Sequence, residues 1–279
     1  MIPNIFHFIF LVPDIEGKTF GLTHYLAIKS CYCVNKPERI FFYYNHEPQG
    51  EWWEKAKPFL TLNRIDPPQE IFGNKLFHPA HQADVVRLQV LKEMGGIYLD
   101  IDTICIKPLH EFYSLNFAIG QQLDSSAYYG LGLFRKLLKC ITSLTIAPFK
   151  PPRIHGLCNA VLLSEKDSPF INFWLDSYKT FRSQGRDDYW DEHSIKMPYE
   201  LSKLHPNLLT KLSPYFFHFP LWDPEGLTLL FEKTISFNNA YVHHTWESNS
   251  WDKYLSKLTV ETILNSDSTY NCIARQYLF

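Results

Sequence analysis

The sequence predicts an α/β fold with a mostly parallel central sheet flanked by helices, and three observations carry that prediction. Short apolar runs of strand length alternate with segments of helical periodicity from Ile5 to Ile101. A Gly95-Gly96 pair separates the clearest helical pattern from the clearest strand. Hydrophobic residues make up 46% of the 279 and charged residues 20%, the balance of a globular protein with a substantial core.

The elements follow in order. Ile5 to Val12 reads as a buried strand, and Leu22 to Val34 as a helix closed by Asn35-Lys36-Pro37. Arg39 to Tyr44 is a second strand, Trp52 to Leu60 a helix, and Leu62 to Ile65 a short strand before Pro67-Pro68. Residues 80–94 carry apolar side chains at 85, 88 and 91, with 90 and 94, which gives a helix one buried face. Gly95-Gly96 ends it as a left-handed cap, and residues 96–101 form the next strand. Beyond Pro108 the pattern predicts a strand at 117–121, a helix at 134–146, a mobile loop at 148–152, and a helix at 169–181. It then predicts a helix at 195–204 opened around Pro198 and late strands at 216–222 and 241–244. With no internal repeat, low-complexity tract or linker, residues 1–279 read as one domain.

The most informative stretch is Gly95-Gly96-Ile97-Tyr98-Leu99-Asp100-Ile101-Asp102. Residues i and i+2 of a strand point to the same face, so Asp100 and Asp102 can converge on one hard cation. Oxygen ligands of this kind suit Mg2+ or Mn2+, and so few protein ligands leave positions open for substrate phosphates. The carboxyl end of a strand is also where active sites of parallel α/β sheets gather. In the preceding helix, Asp84 and Arg87 stand three residues apart on one side. Taken alone, that pair is a surface ion pair worth about 0.3 kcal/mol.

The run from Ala80 to Pro108 resembles the core signature of glycosyltransferase family 32, the sugar transferases with an Asp-x-Asp motif. Ala80, His81, Asp84, Arg87, Leu91, Gly95, Gly96, Tyr98, Asp100 and Asp102 all fall in place, with Ala83 where serine is common. Ile2-Pro3-Asn4-Ile5-Phe6-His7 is similar to the family's opening strand, though Phe8-Ile9-Phe10 replaces its usual Gln-Ile-Trp. Glu47 to Trp53 resembles a Pro-x-Gly-x-Trp-Trp stretch of some members, where Trp52 and Trp53 read as packing. His244-Thr245-Trp246 with Ser250-Trp251 resembles the closing His-x-Trp…Ser-Trp motif, with a spacing one residue longer.

That resemblance implies a GT-A-type nucleotide-sugar-binding fold and a retaining transfer of a hexose from a nucleoside diphosphate sugar to a hydroxyl. It implies Mn2+ or Mg2+ held by Asp102, with Asp100 meeting ribose, sugar or metal. Asp84 and Arg87 match residues that contact donor-sugar hydroxyls, which a carboxylate and a planar guanidinium can each bind twice. His244 is the candidate third metal ligand, His243 its alternative, and Glu247 or Ser250 could complete the shell. His7, Tyr98, Asn159 and Trp251 join the expected donor contacts. Asn159 lies in His155 to Ala160, which resembles a glycine-asparagine turn beside the donor sugar.

The implied partners are a UDP-sugar in preference to a GDP-sugar and a saccharide or lipid-linked saccharide acceptor, in surface-glycan assembly of the capsule or lipopolysaccharide type. A net charge of −2 excludes a broad field for nucleic acid. No signal-peptide pattern and no apolar run of about 18 residues is visible, so a cytoplasmic protein is expected, with peripheral contact at the inner membrane face left open. Cys31, Cys33, Cys105, Cys140, Cys158 and Cys272 form no Cys-x-x-Cys pair and read as reduced, mostly buried thiols. Two other classes remain at this stage: a metal-dependent phosphohydrolase, and a non-catalytic nucleotide-sugar-binding protein on the same scaffold.

Overall fold

A computed structural model describes residues 1–13, 19–124 and 153–279. The expected helix at 134–146, the loop at 148–152 and Cys140 lie outside the described residues.

Three parallel strands open the sheet: β1 (Ile5–Phe10), β2 (Arg39–Tyr44) and β3 (Thr61–Arg64). A small hairpin, β4 (Glu70–Ile71) and β5 (Asn74–Lys75), leads to the long helix at 79–94 and then to β6 (Gly96–Leu99). β7 (Thr103–Cys105) leaves the main sheet, which is extended by β8 (Phe117–Leu123), β9 (Ile154–Ser164) and β10 (Thr210–Leu212). The seven-stranded order is β10-β8-β9-β6-β1-β2-β3. β6 runs parallel to β1, and β10 parallel to β8, whereas β9 is antiparallel to both neighbours. The expectation of a mostly parallel α/β sheet is met. The chain departs from β1 to β2 on one side and returns to β6 on the other, so the crevice between the carboxyl ends of β1 and β6 is a switch point of the topology.

Both faces of the sheet are covered, which is why its strands read as continuous apolar runs. Along β1, Phe6, Phe8 and Phe10 enter one core while Ile9 enters the other. The helix at 79–94 (α3, after α1 at Leu22–Asn35 and α2 at Glu51–Ala56) buries Val85, Leu88 and Leu91 against the second core. Trp53 is fully buried beside Phe20 and Phe42, as packing. Gly95 and Gly96 have φ of 68° and 103°, and a Cβ at either would stand 2.6 Å from a backbone atom, of Lys166 and Ile5 respectively. Only glycine lets the helix turn straight into the strand here.

Several boundaries differ from expectation. Residues 216–222 are not a strand: Ser213 caps a short helix, Pro214–Phe217, by accepting from the Tyr215 N–H, and a cis Phe219-Pro220 bond follows. Pro198 does not open its helix but starts it, in the first turn of Met197–Leu204 after a π-turn at Glu192–Lys196. The helix beginning at Pro169 ends at Ser177 and tightens to a 3-10 turn through Thr180. His155 to Ala160 is no turn but the first part of β9: Gly156, Leu157 and Cys158 pair with β8, and the segment is buried from Gly156 on. Helices at Pro224–Phe231, Val260–Asn265 and Thr269–Ala274 place Leu230, Ile263 and Tyr270 in the first core. Among the described residues no helix is long and apolar enough to cross a membrane.

Candidate active site

β6 delivers Tyr98 and Asp100 to one face, two residues apart, as strand alternation requires. The Tyr98 hydroxyl donates to Asp100 Oδ1 at 2.6 Å. Above that ring stands Arg87 of α3, its guanidinium 4.4 Å from the ring centre. Arg87 is buried and braced: Nη1 donates to the Asn159 carbonyl at 2.9 Å and lies 3.1 Å from Asp100 Oδ1, while Nη2 lies 3.1 Å from Asp84 Oδ1. Asn159 Nδ2 closes the network on Asp84 Oδ1 at 2.7 Å. Burial opposes the charge on Arg87, but Asp100 and then Asp84 outweigh it and hold its pKa above the ordinary value. The Asp100 carboxyl is pushed up by burial and by the neighbouring Asp102, against the pull of Arg87.

Asp102 is reached from the far end of the chain. β7 pairs antiparallel with β11 (Val242–His244), setting His244 opposite Thr103. His244 Nε2 then lies 3.1 Å from both Asp102 carboxylate oxygens. The Glu247 N–H donates to Asp102 Oδ2 at 2.7 Å, and Thr245 donates through its N–H and its hydroxyl, each at 2.8 Å, to the Asp102 carbonyl. The Glu247 carboxylate meets His24 Nε2 at 3.0 Å. Burial disfavours a charged His244, yet Asp102 and the adjoining Cys158 thiol overcome it and raise its pKa to about 10.

Donor atoms of Asp100, Asp102 and His244 all lie within 4.8 Å of one another. Two carboxylates and an imidazole suit Mn2+ or Mg2+, and a cation there would relieve the repulsion between the two aspartates. The three line a cleft of about 890 Å3 together with Arg87 and Tyr98. This volume accommodates a ligand of nucleotide-sugar size.

Trp251 stands on the same cleft, partly exposed. Asp84 and Asn159 stand behind Arg87 and meet the cleft through it. His243 points away from Asp102, because successive strand residues alternate: its Nδ1 faces the Phe219 carbonyl at 3.1 Å, and burial lowers its pKa to about 4. Ser250 is fully buried. His7 is not brought to the cleft. It is fully buried, with Nε2 2.9 Å from the Gly95 carbonyl and Nδ1 3.2 Å from the Tyr43 hydroxyl. Its work is to tie β1 to the α3–β6 corner, and its expected donor contact is corrected on that ground.

Sequence reasoning passed over Trp190, Asp191, Trp222 and His155, which also line the cleft. Asp191 binds His155 at 2.9 Å and Lys196 at 2.6 Å; despite burial, these partners hold its pKa at about 2. The signal available was Asp188-Tyr189-Trp190-Asp191, an acidic and aromatic cluster with no periodicity.

Residues 24–123 match the family described as the glycosyltransferase sugar-binding region containing the DXD motif. The chain is 33% identical over 285 residues to Glucan organizing enzyme 1 of Cryptococcus neoformans, a match spanning 100% of this chain and 71% of that protein. It is 34% identical over 119 residues, 42% of each protein, to an uncharacterized glycosyltransferase of Acanthamoeba polyphaga mimivirus. Among solved structures, the glycosyltransferase GlyE of Streptococcus pneumoniae aligns with a TM-score of 0.48 at 14% identity, over 99% of this chain and 61% of that one.

Proposed function

The chain belongs to the glycosyltransferases whose sugar-binding region contains the DXD motif, and from that membership we propose that it moves a hexose from a UDP-sugar to a saccharide hydroxyl with retention of configuration. Residues 1–279 act as one catalytic domain. The observation that carries this reading is the convergence of Asp100, Asp102 and His244 within 4.8 Å on an open cleft.

Asp102, His244 and Asp100 would hold a divalent cation, which would supply neutralisation of the negative charge that builds on the departing diphosphate. Arg87 presents a fixed guanidinium to the donor's hydroxyls, and Asp84 and Asn159 hold that fork in place. Tyr98 keeps Asp100 oriented. Trp251 covers the donor and excludes water, which competes with the acceptor for the activated sugar.

Retention without a covalent intermediate is supported by the state of the carboxylates. Asp100 is engaged by Tyr98 and Arg87, Asp102 by His244 and the Glu247 amide, Asp191 by His155 and Lys196, and Glu247 by His24. A same-face substitution fits this arrangement. The anomeric carbon–phosphate oxygen bond breaks, the acceptor oxygen bonds the same carbon, and the acceptor's proton passes to the leaving diphosphate oxygen.

The acceptor is a saccharide, free or lipid-linked. Trp190 and Trp222 offer indole surface to the C–H faces of a sugar ring. The name of the Cryptococcus neoformans relative associates that protein with glucan, which supports a role in assembling an external glycan. The test is a panel of nucleotide sugars, each with Mn2+ or with EDTA, against oligosaccharide acceptors, read by mass spectrometry of the products. One donor should yield a product heavier by one hexose, only when the cation is present. Release of inorganic phosphate without sugar transfer would reassign the chain to phosphoester hydrolysis.

A further inference from the structure

Behind the Asp102 site lies a second group of ligating side chains, of which the transfer reaction uses His244 alone. Cys158 on β9, His218 after the short helix at Pro214–Phe217 and His244 on β11 converge from distant parts of the chain. Their donor atoms lie within 4.8 Å of one another, and all three residues are buried. His218 is fully buried, and neither of its ring nitrogens meets a nitrogen or oxygen partner; the Cys158 thiol is the polar group that faces it. His244 Nδ1 is likewise buried with no nitrogen or oxygen partner, since Nε2 is the nitrogen that faces Asp102, and the Cys158 thiol adjoins the ring. A buried imidazole answered only by a weakly hydrogen-bonding thiol costs free energy that a fold ordinarily avoids.

The surroundings look built around these groups. Cys158 pairs across the sheet with Gly120 on β8. A Cβ at Gly120 would stand 2.7 Å from His218 Nε2, so the absent side chain is what admits the ring. Gln122, two residues along the same face of β8, is buried with an unpartnered Oε1. Gln122 and His244 both line the cleft, which provides a way in from solvent.

We propose that Cys158, His218 and His244 form a second metal site, taking a borderline-soft divalent ion of the Zn2+ class, and that this ion and the cleft cation compete for His244. One thiolate and two imidazoles are zinc ligands, whereas the cleft pair of carboxylates suits a harder ion. Zinc bonds of roughly 2.0–2.3 Å bring ligand atoms to within about 4 Å of each other, so closure from the present spacing needs shifts on the order of 1 Å. On binding, the protons carried by the Cys158 thiol and by His244 Nδ1 are released to solvent, which leaves a thiolate and a neutral imidazole as ligands. A neutral imidazole has one lone pair and one N–H. With the Nδ1 lone pair on zinc, the proton stays on Nε2 and is donated to Asp102, so Nε2 cannot ligate the cleft cation. Zinc in the buried site therefore weakens the cleft site. This second half rests on the reading of His244 as a cleft ligand.

The test begins without activity. The purified chain is titrated with Co2+, which reports thiolate coordination by near-ultraviolet charge transfer, and the ion is then displaced with Zn2+. Wild type should show the band, Zn2+ should abolish it, and Cys158→Ser, shown folded by circular dichroism, should lack it. His218→Gln should lower Co2+ affinity by about tenfold or more, and Asp102→Asn should keep the band. No band in wild type, a band that survives Cys158→Ser, or one lost in Asp102→Asn would overturn the buried site. The second measurement is the Mn2+ concentration needed for nucleoside diphosphate binding, with and without Zn2+. Zn2+ should raise it about tenfold in wild type and leave it unmoved in Cys158→Ser and His218→Gln. A band without this antagonism would keep the buried site and overturn the competition. Loss of Mn2+-dependent binding in all samples while the band persists would count instead against the cleft reading.

Discussion

His244 Nε2 sits 3.1 Å from both carboxylate oxygens of Asp102, a residue 142 positions earlier in the chain. The pairing of β7 with β11 is what brings them together, and the Glu247 and Thr245 hydrogen bonds to Asp102 hold the following loop over the site. The C-terminal segment is thereby a wall of the cleft. Any change that loosens β11 should be felt at the Asp-x-Asp motif.

Replacing Asp102 with Asn keeps shape and one acceptor oxygen but removes one negative charge from the cation's ligand set. Transfer should fall by roughly 10²-fold, equivalent to about 2.7 kcal/mol. Steady-state rates with saturating Mn2+, compared with wild type in EDTA, check this. Unchanged turnover in either would remove the metal from the mechanism.

Asp84→Asn is the informative change at the Arg87 network. Arg87→Ala would strand buried Asp84 and Asp100, a loss of about 3–5 kcal/mol that confounds activity with folding. Asp84→Asn retains a partner for the guanidinium. It should lower kcat about tenfold, equivalent to about 1.4 kcal/mol, while the affinity for the free nucleoside diphosphate stays within twofold, roughly 0.4 kcal/mol. Equal loss in both measurements would make the network a scaffold with no part in sugar recognition.

Trp251 is partly exposed on the cleft. Truncation to Ala should raise donor hydrolysis relative to transfer, because water gains entry to the activated sugar. The ratio of free hexose to transferred hexose, measured at fixed donor turnover, is the readout. A constant ratio would assign Trp251 to packing.

His7 predicts an acid limb to stability. Burial lowers its pKa to about 4, against the Gly95 hydrogen bond that raises it. Unfolded, the same ring titrates near ~6.5. The native state therefore holds its advantage above that pH and loses it as pH falls toward 4, because the unfolded chain takes up the proton first. Across this window the loss is on the order of 3 kcal/mol. Urea midpoints between pH 7 and 4 should fall more steeply in wild type than in His7→Gln, and parallel curves would show that other groups set the acid limb.

The first half of the fold was legible because its signals are local. The α3 periodicity, the Gly95-Gly96 corner and the Asp100–Asp102 strand end each lie within a few residues, and helix and strand periods act at that range. The segment from Phe216 to Trp222 misled for the same reason. Its aromatic run has strand composition, while Ser213 and Pro214 start a capped helical turn at Pro214–Phe217. Gly156 and Asn159 suggest a turn, yet pairing with β8 draws the segment around them into β9.

The sequence alone determined the α/β class, the strand that carries Asp100 and Asp102, and the helix that carries Asp84 and Arg87. Side chains at i and i+2 of a strand, or i and i+3 of a helix, share a face whatever surrounds them. Tertiary structure alone decided that His244 and not His243 meets Asp102, that His7 is a tie inside the sheet, and that Cys158 lies against His218. Each depends on which strand pairs with which and in what register, and a register shifted by one residue would exchange the faces of His243 and His244.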